Sequence, residues 1–159
     1  MTEELRESIE RIRSLAPDLN KATDEAHAVV ARVEKFLDDC SIGVPAQVQF
    51  SDEDLEGKLS RQKLLSYGRV DGKFRIAVTT TLCLEEGLSS FGNPEYKWMP
   101  DDDNPPVPWG SCPREVKLAS FSSLPKLLQK IASEASSISE KADETAEAVR
   151  QILDAVNGK

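Results

Sequence analysis

One histidine, three cysteines and a run of three aspartates are the residues most able to do chemistry in this chain. General acid–base catalysis near neutral pH usually needs a positioned histidine with partner groups. His27 is the only histidine and directly follows Ala26 in a stretch with helical periodicity. It reads as a surface side chain on a helix edge. The sequence has no GxSxG, no HExxH and no phosphate-cradling glycine loop. Asp101, Asp102 and Asp103 are oxygen donors suited to calcium or magnesium. Adjacent carboxylates diverge, however, and the alternating ligands and distal glutamate of a calcium-binding loop are missing. They read as a solvated acidic loop. Asp52, Glu53 and Asp54, like Glu85 and Glu86, are weaker still; Ser51 or Asp52 suits the cap of a short helical turn. The sequence therefore predicts no catalytic residue, no metal ligand and no cofactor.

Cys40, Cys83 and Cys112 are odd in number, far apart, and form no CxxC. That pattern predicts free thiols in a reducing cytoplasm. Cys40 falls on an apolar helical stripe and is expected to be buried; Cys112 lies in a loop and is expected to be exposed. The loop itself offers a candidate interaction surface: Trp98, Pro105, Pro106, Pro108 and Trp109. A Pro-Pro-Val-Pro segment favours polyproline II, which docks in aromatic grooves. The competing expectation is that Trp98 and Trp109 pack the loop back onto the domain, because tryptophan buries so much apolar area.

The elements that position these residues follow from periodicity. Leu5, Ile9, Ile12, Ala16, Leu19, Thr23, Ala26, Val30, Val33, Leu37 and Cys40 alternate steps of four and three. A period of 3.5 residues keeps one stripe facing a partner helix. Residues 1–42 are thus expected to form a long helix, kinked near Pro17 and ended by Gly43 and Pro45. Leu124, Leu128, Ile131, Ala135, Ile138, Ala142, Thr145, Val149, Ile152 and Val156 repeat the pattern. Residues 113–157 are expected as one helix, or a short helix followed by a long one, with Ser122 or Ser123 as cap and Gly158 as stop. Between them, residues 46–86 read as a β-hairpin or meander. Asp71-Gly72 suits a two-residue type I′ turn, which sets Val70 opposite Lys73, Tyr67 opposite Ile76 and Leu65 opposite Val78. Val48 and Phe50 suggest a further strand, and Tyr96 with Trp98 another. Residues 87–112, holding five of the nine prolines, are expected as an irregular loop.

The formal charge is −8, and no segment is basic. Phosphate backbones are bound mainly through Lys and Arg, so a nucleic-acid partner is not expected. No apolar run approaches the roughly 20 residues that cross a bilayer, and Met1-Thr2-Glu3-Glu4 is not the basic start before an apolar run that a signal peptide shows, so none is expected. The expected architecture is one α+β domain: two long antiparallel heptad helices bracketing a small antiparallel β-meander. A sheet so small leaves both seams to pair with each other or with copies in a second chain, and the surplus apolar flank points to a homodimer. The expected function is a non-enzymatic, dimeric cytoplasmic adaptor or regulator acting by protein contacts. The alternatives are a small-ligand binder, with a pocket between hairpin and helices, and a metal-dependent enzyme using carboxylates.

Overall fold

A computed structural model describes residues 2–157. The chain is α+β. Helix α1 (Glu3–Asp39) leads into strands β1 (Ala46–Asp54), β2 (Leu59–Val70), β3 (Lys73–Leu88), β4 (Pro94–Pro100) and β5 (Val107–Pro108). A 3-10 turn (Trp109–Ser111), α2 (Arg114–Phe121) and α3 (Leu124–Val156) follow. The C-terminal region is thus a short helix plus a long one; Gly158 lies outside the described residues. The sheet is antiparallel in the order β1-β2-β3-β4, and β5 pairs with β3.

The β2–β3 hairpin has the register that its turn dictates: Val70 faces Lys73, Tyr67 faces Ile76, and Leu65 faces Val78. Asp71 and Gly72 have φ of 51° and 80°, the left-handed values a type I′ turn requires at both central positions. Leu65, Tyr67, Ile76 and Val78 form the sheet's share of the core, with Phe74 packed beside them. The alternate residues are not all solvated. Ala77 is fully buried and Leu64 and Ser66 nearly so.

Residues 87–112 are more regular than the sequence implies. Tyr96 and Trp98 alternate along β4, which pairs with the far half of β3. The prolines of that strand stand at its two ends, Pro94 and Pro100, where a missing N–H is least damaging. The long β3 therefore has different neighbours along one edge: β4 for residues 81–88 and β5 for residues 77–78. Nearer the hairpin turn, the Ile76 N–H donates to Glu34 Oε1 of α1 at 2.7 Å.

Both long helices bury one half on the sheet. From α1 these are Ala26, Val30 and Leu37; from α3, Leu124, Leu127 and Ile131. The sheet is larger than expected, with strands of 12 and 16 residues, so it covers what the helices were expected to cover for each other. The neighbours also fix direction. In α1, Asn20 accepts a hydrogen bond from Arg114 and His27 abuts Gly110. Further on, Glu34 reaches Ile76, and Asp38 lies beside Gly72 and Lys73 at the hairpin turn. In α3, Lys130 and Glu134 flank Gly68 and Val70 near that same turn, and everything after residue 135 is exposed. Both helices thus run toward the hairpin turn, parallel within the chain and not antiparallel.

Each helix consequently overhangs at a different end. The α1 overhang, residues 3–19, is about 25 Å long, and the α3 overhang, residues 136–156, about 30 Å. Pro17 lies inside α1, which continues through it. The overhangs leave apolar side chains in water: Leu5, Ile12, Leu15 and Leu19 on α1, and Ile138, Val149, Ile152, Leu153 and Val156 on α3. Cys40, expected on the buried stripe, is exposed, because the stripe leaves the sheet after Leu37.

Candidate functional site

The five aromatic and proline residues singled out by sequence divide in two. Trp109 is a core residue, 1% exposed. Its Nε1–H donates to Ser120 Oγ at 2.9 Å, and Phe121 and His27 pack near its ring. It is therefore no surface candidate. Pro108 is taken up in β5 opposite Ala77. Trp98, Pro105 and Pro106 do come together. With Gln47, Thr79 and Thr81 they line a groove of about 460 Å³ on the sheet. The hydroxyls of Thr79 and Thr81 are buried beneath it and have no hydrogen-bond partner among the described residues.

Trp98 also borders a second, adjoining cleft of about 670 Å³. The strand register builds it. Asp54, Ser60, Cys83 and Trp98 form one row across four strands, and Asp52, Gln62 and Thr81 part of the next. Tyr96 stands opposite Glu85. The cleft thus has a bank of two half-exposed aromatic rings, a bank of carboxylates about 14 Å away across three strand spacings, and a floor of small polar groups. Gln62 is 7% exposed. Its Nε2–H donates to Asp52 Oδ2 at 3.3 Å. Glu85 meets Lys58 at 3.6 Å.

The residues that could do chemistry are mostly committed elsewhere. Asp101 is turned inward: Arg61 Nε lies 3.1 Å from Oδ2, and Asn104 Nδ2–H donates to the same oxygen at 2.9 Å. Asp102 and Asp103 remain exposed. Among the described residues no three carboxylate, thiol or imidazole groups gather as a metal site would require. His27 lies against Gly110, where a Cβ would meet its Cε1 at 3.2 Å. Cys112, expected to be exposed, is buried. Its thiol faces the carbonyls of Pro108 and Val107 at 3.5 and 3.8 Å, and burial pushes its pKa up against the smaller opposing pull of Lys117 and Lys63.

Tyr67 is shifted the same way, first by burial and then by Asp38 and Glu34. Both groups keep their protons in the folded chain after the unfolded chain has lost them. Unfolded thiols and phenols titrate near about 8.5 and 10. The folded state therefore binds more protons there, and stability falls as pH rises. Urea midpoints are expected to drop between about pH 9 and 11. A Tyr67→Phe, Cys112→Ala double variant should lose much of that slope; an unchanged slope would contradict the assignment.

The acidic cleft was illegible from the sequence. From sequence Asp52 and Asp54 are weak donors to a cation, with Ser51 or Asp52 suited to cap a helical turn; both instead lie in β1, and no turn motif sets the β1–β2 register that aligns Asp52 and Asp54 with Gln62 and Ser60. Searches against family models, curated proteins and solved structures find no match to this chain.

Proposed function

We propose that the protein is a non-enzymatic interaction module that dimerises through its two helical overhangs and acts as an adaptor or regulator in the cytoplasm. The observation that carries this reading is the set of nine apolar side chains standing about half-exposed on the overhangs. Burying them yields on the order of 10 kcal/mol, comparable to the roughly 4–15 kcal/mol that association costs.

A second copy fits as the occupant for geometric reasons. The overhangs are similar in length and project from opposite ends. Two chains placed side by side, one inverted, set the α1 overhang of each beside the α3 overhang of the other. One two-fold axis then closes both seams. Because α1 and α3 run the same way within a chain, inversion makes α1 antiparallel to the partner's α3. The antiparallel heptad pairing expected within one chain is thereby placed between two. Both overhangs are net acidic, so apolar burial carries the pairing, with Arg6, Arg11 and Arg13 of one available to offset Glu140, Glu144 and Glu147 of the other.

Sedimentation equilibrium should give about 35 kDa, twice the 17.5 kDa chain. The double variant Ile12→Asp, Ile152→Asp should sediment as a monomer with its sheet intact by circular dichroism. A concentration-independent mass of one chain for the unaltered protein would sink the reading.

A second reading, small-ligand binding, is supported by a cavity of about 270 Å³ beside Cys112, between Val78, Thr80, Lys63 and Val116. A thermal-shift screen tests it, because a ligand bound only by the native state raises the melting temperature.

A further inference from the structure

We propose that the cleft between Trp98 and Asp54 binds arginine side chains of an extended basic segment of a partner protein. This goes beyond dimerisation and does not rest on it; the cleft is lined by the strands and the β1–β2 turn, with no residue of either overhang.

Three features of the cleft ask for the same ligand chemistry. The first is the pair of rings. Tyr96 and Trp98 sit two apart on β4, so they share a face, and each is more than half exposed. Exposed aromatic faces attract cations, and guanidinium also stacks flat on them. The second is charge. Asp52, Asp54 and Glu85 line the cleft against a single lysine, Lys58. The third is Gln62, over nine-tenths buried, whose Nε2–H donates to Asp52 and fixes that carboxylate in the cleft with an oxygen left for a second donor. A neutral apolar ligand would leave those carboxylates desolvated without partners, which is costly. An anion would meet three like charges. A ligand rich in N–H donors satisfies all three.

The spacing favours an extended segment. Glu85 pairs directly with Tyr96, so one guanidinium can stack on the rings and fork to Glu85. The Asp52–Asp54 bank is too far for the same group. In an extended chain, side chains two apart share a face at about 7 Å. Arginines at alternate positions would therefore serve both banks of one cleft. Lys58 currently occupies the Glu85 carboxylate and would be displaced, which makes it a weak internal competitor.

The probe is a blocked five-residue peptide of alternating arginine and alanine, titrated calorimetrically into the intact chain at low salt. Saturable one-site binding is expected. Trp98→Ala and Glu85→Gln should each weaken it about fivefold, and Lys58→Ala should tighten it about twofold. Trp98 and Lys58 are exposed and Glu85 is partly so, and Glu85→Gln keeps its shape, so folding is not at stake. Tryptophan fluorescence should respond through Trp98, since Trp109 is buried. An alternating glutamate–alanine peptide should give no heat. Equal binding by the Trp98→Ala variant, or by the glutamate peptide, would overturn the proposal.

Discussion

Trp109→Ala is expected to destabilise the native chain by about 3–5 kcal/mol, the usual range for emptying a fully buried tryptophan site. The indole is sealed, and its removal opens a cavity between the 3-10 turn, α2 and α1. Two further terms act in the same direction. Ser120 is fully buried; its Oγ accepts from Trp109 and donates to the Lys117 carbonyl at 3.2 Å. Without the indole N–H that acceptor loses its partner inside the protein. Lys117 Nζ, 5.6 Å from the ring centroid, loses its aromatic face as well. Trp109→Phe keeps most of the volume and should cost less, leaving the hydrogen-bond deficit visible alone. Urea unfolding of the three proteins at neutral pH measures both differences. A loss under about 1 kcal/mol for the alanine variant would show that α2 is not anchored through this side chain.

A pair of leucines on α3 provides the second test. Leu127 is fully buried against the sheet, whereas Leu153, seven turns further on, is 53% exposed. Leu127→Ala is expected to cost about 2–5 kcal/mol whatever the protein concentration. Leu153→Ala should leave the unfolding of a dilute, dissociated chain within about 0.5 kcal/mol of the parent. Its effect should appear instead as weaker self-association. Concentration-dependent denaturation separates the two behaviours. If Leu153→Ala destabilised the dilute chain as much as Leu127→Ala, the overhang would be part of the folded core and the dimer reading would fail.

The parts of this fold legible from sequence are those set by short-range rules. Asp71-Gly72 allows one tight turn, and that turn fixes twelve residues of pairing on either side. The 3.5-residue spacing marks both helices along their full length. What it cannot state is the partner of each stretch. Ala26, Val30 and Leu37 carry the same periodic signal as Leu5 and Ile12, yet the first group meets a sheet and the second meets water. The difference depends on the area of a sheet whose strands β4 and β5 carry few residues and many prolines. Trp109 illustrates the same limit. Beside a proline run it looks like a surface anchor, and only the position of Ser120, eleven residues on, makes it a core residue. Cys40 and Cys112 exchange their expected exposures for this reason too: burial is decided by packing across the chain, not by local spacing.

The contact between Glu34 and the Ile76 N–H has a consequence for how this protein can and cannot assemble. An open strand edge is a template on which further chains can add. Along β3 that edge is closed by a carboxylate, then by β5, then by β4. The sheet's remaining outer strands are poor templates. β4 begins and ends in proline, and β1 is broken by a bulge after Gln49 and ends in Asp52, Glu53 and Asp54. Growth by strand stacking is thus disfavoured at each outer edge, so that the proposed association through the helices would close as a finite complex with little tendency to grow into fibres.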